Sequence, residues 1–500
     1  MAVYLGIDLG TTGLKSLLVR PDGSICGSGY REYPLSVPAP GYAEQDPEDW
    51  WNALRETVAE ALSKAGVRGE EVAAIGLSGQ MHGTVLLGGD GRPLAPAIPW
   101  CDQRSAAQAA EIRARIGAEN LARWTQNPVG TGFQICSLLW IRENQPHLYR
   151  KVRRVLLPKD YVRFRLTGQT GTEPTDACST LMFDCAQRDW SRQMLETFDI
   201  DRALLPDANH LPTEIHGGLT EAAARELGLK PGTPVVFGGG DQPMQAVGNG
   251  ILAPGDIAIT LGTGGQIFMP TDRPVCDPAL RVHSFCHAPS EMWYVMGAIL
   301  NCCLAQNWFF DKVLGTRDFA AMHRRAADVA PGCGGLLFLP YLTGERTPYL
   351  NPQAKGVFFG LTLGDDGATL ARAVIEGISH ALLDAMLCIR ELIPAEAWPS
   401  DSRLIVSGGG ARSGLWRQIL ADMFGQPIYA TAMCEEAGTG AAICAMVGAG
   451  EYASLSEACE AIVRYEDGCV TPIPENTAVY HERHAVFQEL YAANRGLFNR

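Results

Sequence analysis

The sequence predicts an α/β protein of two domains, each built on a mixed β-sheet, facing one another across a central ligand cleft. Three observations carry this. Five hundred residues with 46% apolar content exceed what a single core normally needs. A β-meander opens the chain and is followed by a strongly periodic helix and a further strand, the pattern of a layered α/β domain. A Gly/Thr segment at residues 10–13 returns at residues 262–265, about half the chain away, which is the separation a duplicated domain of ordinary size would give.

Taken in order, the apolar run to Asp8, the turn Gly10 to Gly13, the run Leu14 to Val19 and the Pro21-Asp22-Gly23 turn before a third strand make the meander. Asp46 then suits a helix N-cap, Pro47 the first helical position, and Gly66 the stop of a segment reaching Ala65. A strand is expected at Val72 to Leu77. In the second half, Ile259-Thr260-Leu261-Gly262-Thr263-Gly264-Gly265 can be laid on Ile7-Asp8-Leu9-Gly10-Thr11-Thr12-Gly13, each followed by a run able to return as a hairpin strand. The boundary would fall near Gly250 to Gly255, giving domains 1–250 and 251–500. Near the end, Tyr480 to Leu497 reads as a helix that either docks on its own domain or packs a homodimer.

Composition excludes several partners. The 41 basic and 55 acidic side chains leave a net charge of −14, which disfavours nucleic acid and anionic membranes. No apolar run approaches the roughly 20 residues of a membrane helix, and the opening lacks the basic region and cleavage site of a signal peptide, so a cytoplasmic protein is expected. The 15 cysteines lack paired C-x-x-C spacing and read as reduced core residues.

Several segments are suited to chemistry. Gly10, Thr11, Thr12 and Gly13 at a hairpin tip let backbone N–H groups approach a polyphosphate, and Asp8 at the strand end is placed to hold Mg²⁺; an ordinary capped turn is the alternative. Gly262, Thr263, Gly264 and Gly265 offer a second such cradle, with Thr260 where the first has Asp8, so one metal site is expected. Ser407 to Ser413, between the run Leu404-Ile405-Val406 and a helical pattern, could let a base and ribose lie on bare backbone, or serve only close helix–strand packing. Neither a P-loop nor a spaced G-x-G-x-x-G occurs there. Asp241, after Gly238-Gly239-Gly240, is placed either to orient a hydroxyl and take its proton or to cap the next helix. Met81 and His82 could floor a polyol pocket. Asp102 either bonds hydroxyls or pairs with Arg104, and Lys15 either reaches a phosphate or faces solvent.

Taken together, Gly6 to Gly13, Gly79 to Gly83, Leu157-Pro158-Lys159-Asp160-Tyr161, Gly238 to Asp241, Leu261 to Gly264, Gly344-Glu345-Arg346-Thr347-Pro348, Lys355 to Gly360 and Gly408 to Arg412 resemble the FGGY carbohydrate kinases. That family lies within the group sharing the actin-like, ribonuclease H-like fold. The resemblance implies two such domains, ATP as phosphoryl donor, Mg²⁺ at Asp8 and Asp241 as catalytic base. It also implies a sugar site at Met81 and His82, next to which Asp102 and Gln242 are further candidates by position. Phosphates would bind at Thr11, Thr12, Gly13 and Gly262 to Gly265, and adenosine at Gly409, Gly410, Ala411 and Ser413. The Gln80-Met81-His82-Gly83 form resembles the xylulose-specific branch. Gln242-Pro243-Met244-Gln245 and Cys101 depart from that branch near the expected sugar pocket, which leaves another pentulose or a polyol open. A nucleotide-driven switch of the same fold would need neither Asp241 nor the Met81-His82 segment.

Overall fold

In a computed structural model, described over residues 2–394, 398, 402–433 and 435–498, the chain forms two principal sheets. The first runs in the order Ile25–Glu32, Gly13–Val19, Val3–Leu9, Val72–Gly79, Pro234–Val236, Ile215–Gly218, with Gly239–Gly240 also pairing to Val72–Gly79. The second runs His283–Cys286, Trp293–Ile299, Gly265–Thr271, Asp256–Leu261, Arg403–Ser407, Ile428–Ala430. In each, a meander of antiparallel neighbours hands over to parallel strands at the strand that leads into the Gly/Thr turn. The two hairpins close alike, Leu9 opposite Leu14 and Leu261 opposite Gly265.

Local signals act as expected. Asp46 caps Pro47–Ala65 by accepting from Glu48 N at 2.9 Å, and Gly66 ends it in the left-handed conformation. Trp50, Leu54, Val58 and Ala61 of this helix pack on Leu5, Ile7 and Leu9. The helix and meander approach closely because Gly27 and Gly29 lack side chains: an added Cβ would stand 2.2 Å from Ala61 O and 2.3 Å from Thr57 O.

By strand alternation, Tyr4, Gly6 and Asp8 face the opposite side. That face is covered by Asp241–Gly248 and by Glu436–Gly448, a helix from the 251–500 half of the chain. Contact is backbone to backbone: a Cβ on Gly6 would meet Gly438 O at 2.1 Å, and one on Gly76 would meet Ala441 O at 1.9 Å. Segment 106–208 likewise reaches across, its Ile112, Leu138 and Phe183 sharing a core with Phe268, Phe285 and Tyr294 of the second sheet.

The last helix, Pro474–Asn494, buries Tyr480, Phe487, Leu490 and Tyr491 in the core of the second sheet's side. Its apolar residues thus dock on its own domain. No helix among the described residues is long and apolar enough to cross a membrane. The described cysteines are free.

Candidate active site

Strand register brings the first set of residues together. Asp8 stands opposite Ser78 and Ser78 opposite Gly239, so three neighbouring strands, spaced about 4.8 Å apart, end at one level. From that edge emerge the Asp8 carboxylate, the Gln80-Met81-His82 turn and Asp241. Ser78 Oγ donates to Asp8 Oδ1 at 2.9 Å. Burial raises the Asp8 pKa, while Ser78 and the Lys15 charge pull it back and Glu435 adds to the rise.

Asp241 is the first residue of its helix, and Gly240 occupies the cap position. The carboxylate accepts from Gln242 N at 2.8 Å and is partly exposed to the cleft. Burial and the nearby charge of Asp8 push its pKa up to about 7. A proton acceptor with that value is half ionised at neutral pH, the range in which general bases work best.

The two Gly/Thr turns are held from behind. In the first, Gly10 N donates to Gly13 O at 3.0 Å, Gly10 O accepts the Tyr33 hydroxyl, and Thr11 O accepts Gln45 Nε2 at 2.6 Å. Trp100 Nε1 donates to Thr11 Oγ1 at 2.8 Å, and Thr12 is exposed. In the second, the carbonyls of Gly262 and Thr263 accept from Cys303 N and Cys302 N at 2.9 and 3.1 Å, leaving Thr263 exposed at the tip. Gly13 and Gly265 are buried and close their hairpins: an added Cβ would meet Arg31 O at 2.6 Å and Ile299 Cγ1 at 2.9 Å.

The third glycine cluster lies beside the second turn, since Thr260 pairs with Ser407. Gly408 adopts φ 85° under Leu261 O, and Gly410 is wedged between Leu261 and the Trp416 ring. Gly409 faces open space. Two expected adenosine contacts have partners within the protein. Ala411 is buried with its carbonyl held by Arg417, and the Ser413 hydroxyl is occupied by Trp416 N, which it caps, and by His323 Nδ1.

On the sugar side, Met81 is buried under Gly240, and His82 sits at φ 71°. His82 N donates to Ser179 Oγ at 3.0 Å, and its Nδ1 lies 2.7 Å from Ser179 O. Burial, reinforced by the Arg346 charge, holds the imidazole down to about 4, so the ring is neutral. Nδ1–H then donates to the carbonyl and Nε2 is left as an acceptor. Phe133 and Phe285 flank the ring, with centroids 4.5 and 6.2 Å away, and His283 stacks on Phe285. Gln242 is partly exposed next to Asp241.

Asp102 does not join this group. It is fully buried, accepting from Ala43 N at 2.7 Å and from Arg104 N and Nε at 2.9 and 2.8 Å, so the pairing alternative holds and the sugar contact is withdrawn. Lys15 is ion-paired with Glu435.

The structure adds residues that sequence reasoning missed. Glu435 and Glu436 open the crossing helix beside Asp8. Arg346, within a block quoted for the resemblance, is held by a loop tied to the second sheet through Thr347 N to Ala298 O and Leu300 N to Glu345 Oε1, at 3.0 and 2.9 Å. Its guanidinium has no hydrogen-bond or ion-pair partner among the described residues, and its charge depresses both His82 and His283. An arginine without a carboxylate would have been the signal, but sequence does not reveal pairing.

Among the described residues, no group of three or more His, Cys, Asp or Glu could hold a metal ion by itself. Asp8, with Glu436 and Asp241 close enough to feel its charge, offers oxygen donors only. That suits a hard cation such as Mg²⁺, which keeps most of its waters and shares phosphate oxygens.

Known proteins agree with this geometry. Residues 3–248 match the N-terminal domain model of the FGGY family of carbohydrate kinases, and residues 257–449 match its C-terminal domain model. The chain is 37% identical to the xylulose kinase of Escherichia coli strain K12 over 490 residues, covering 98% of both chains. It is 33% identical to that of Bacillus subtilis strain 168 over 500 residues, covering 99% of this chain and 98% of the relative. The ligand-bound xylulose kinase structure from Lactobacillus acidophilus superposes with a TM-score of 0.93 at 27% identity, covering 100% of this chain and 99% of that one. Two repeated sheets, an Asp8–Asp241 pair at the edge of the first and matches in both halves leave one assignment: the chain belongs to the FGGY family of carbohydrate kinases.

Proposed function

We propose that the protein transfers the γ-phosphoryl group of ATP to D-xylulose, giving D-xylulose 5-phosphate and ADP in the cytoplasm. One observation carries the reaction class: a partly exposed carboxylate with a pKa of about 7, Asp241, stands at the same sheet edge as Asp8 and a neutral His82. The xylulose kinases named above support the choice of sugar.

In this reading Asp241 orients the sugar hydroxyl in line with the γ-phosphorus and accepts its proton late in the transfer. His82 Nε2 accepts a sugar hydroxyl, and Met81 supports the pocket floor. Arg346 donates to sugar oxygens from the opposite wall. The exposed tips at Thr12 and at Gly262 to Gly264 bind phosphates, and bare backbone at Gly409 receives adenosine. Asp8 and Glu436 would hold Mg²⁺, which would supply neutralising charge for the phosphates. Residues 1–250 carry the base and the His82 side of the sugar site, residues 251–500 carry Arg346 and the adenosine site, and closure of the two excludes water as a competing acceptor.

The test is ADP release with Mg·ATP against xylulose, ribulose, gluconate, glycerol and fuculose, with a control lacking sugar. Strong stimulation by xylulose above the others is expected. Stimulation chiefly by another sugar would overturn the substrate, and release equal in all samples would overturn the kinase reading.

A further inference from the structure

Beneath Met81 and Asp241 lies a fully buried group of charges that the transfer reaction does not itself use. Lys159 Nζ donates to Asp160 Oδ1 at 2.7 Å and lies 3.6 Å from Glu173 Oε1 and 3.7 Å from Asp176 Oδ2, all four side chains being completely buried. Arg163, also buried, stands 3.6 Å from Asp160 and stacks on Phe237 with its guanidinium 4.4 Å from the ring centre. Burial alone would strip the Lys159 proton, yet the three carboxylates hold its pKa above the usual lysine value. Such clusters are poor devices for stability, because desolvating the ions offsets most of their attraction. What they provide is direction, since each charge fixes the orientation of its neighbours.

Two arms leave the cluster, and each ends on a residue of the site. Glu173 Oε1 accepts from Thr175 Oγ1 at 2.9 Å and its Oε2 accepts from Thr175 N at 2.7 Å. Thr175 Oγ1 in turn accepts from Gly240 N at 3.1 Å, which ties down the Gly239–Gly240 peptide one residue before Asp241. On the other arm, Ser179 Oγ donates to Asp176 O at 2.7 Å and accepts from His82 N, while Ser179 O receives the His82 ring. The lysine stem also lies against the strand that leads to Met81: a Cβ on Gly79 would come within 2.8 Å of Lys159 Cβ.

We propose that Lys159 is a positioning residue for phosphoryl transfer, its ammonium locking Glu173 and Asp176 so that Thr175 sets the Gly239–Gly240 peptide that leads into Asp241 and Ser179 sets His82 from one buried point. This rests on the roles given above to Asp241 and His82. The base and the sugar acceptor belong to different segments of chain, and the cluster gives both a common origin. A displacement of about 1 Å at either costs up to about 100-fold in rate, so a rigid common support has large leverage on the reaction.

Three variants test this through the division of effects between kcat and KM: Thr175→Val, which cuts the arm to the base; Ser179→Ala, which cuts the arm to His82; and Lys159→Met, which removes the origin. Thr175→Val should lower kcat about 10- to 100-fold, with the sugar KM changed far less. Ser179→Ala should raise the sugar KM about five- to tenfold as its main effect. Lys159→Met should do both and leave the KM for ATP at the parental value, and its effect on kcat should largely vanish in a Thr175→Val background.

Kinetics unchanged in Thr175→Val and Ser179→Ala would overturn the proposal even if Lys159→Met fails to fold. A folded Lys159→Met with a lowered melting temperature but parental kinetics would overturn it too, as would equal rises in both KM values. Asp241→Asn run in parallel separates the two layers of argument. Full turnover there removes the base itself, whereas lost turnover there with a parental Thr175→Val removes only the role of the cluster.

Discussion

If Asp241 takes the sugar's proton, the reaction should fade on acidification well before ordinary carboxylates protonate. Burial and the charge of Asp8 move this group from 3.8 to about 7. A single titration at that value leaves about 9% of it ionised at pH 6 and about 91% at pH 8, so the rate should differ about tenfold between them, whereas an aspartate at its usual value would give a flat profile. The assay is sugar-dependent ADP release with both substrates far below saturation, which reports the free enzyme. A rate flat down to pH 5 would refute the account of Asp241.

Four further outcomes follow from the same geometry. Asp241→Asn should lose at least about 100-fold in turnover while still binding ATP, measured by initial rates and calorimetry. The same variant should melt above the parent at pH 8. A raised folded-state pKa gives stability that is complete below about pH 4 and lost through about pH 7, so the gap should close towards pH 4. Gly410→Ala should destabilise by about 1–3 kcal/mol because its methyl meets Leu261 and Trp416, whereas Gly409→Ala should keep the parental melting temperature and raise the KM for ATP. Arg346→Gln should raise the sugar KM about 10- to 100-fold with little change for ATP, and the His82 and His283 rings should titrate higher by NMR once the guanidinium charge is gone.

What was legible in the sequence was what local chemistry decides. Asp46, Pro47 and Gly66 bound a helix through groups a few residues apart, and both Gly/Thr turns declare themselves because tight hairpins need such residues. Asp241 was legible as a carboxylate at the start of a helix, although only its distance from Asp8, fixed by the strand between them, settles that it feels a second charge. Asp102 could not be resolved from its neighbours alone, since Ala43, 59 positions earlier, supplies one of its donors. Ser413 and Ala411 looked like ligand contacts because a glycine loop suggests them, but Arg417 and His323 hold them, and His323 arrives from 90 positions away. Lys159 and Arg346 are both cations, one enclosed by three carboxylates and one whose guanidinium has no ion-pair partner among the described residues. That contrast exists only in three dimensions.

The Glu436–Gly448 helix lying on the first sheet bears on how the protein is made. When a ribosome has released the first 250 residues, the strands Val3–Leu9 and Val72–Gly79 already exist, but the face bearing Tyr4, Gly6, Ala74 and Gly76 has no lid from the crossing helix. A nascent chain at that length carries an open apolar surface flanked by glycines, a target for chaperones and for neighbouring chains. Only synthesis past Gly448 seals it, so truncated messages and stalled ribosomes should yield aggregates and not a folded half.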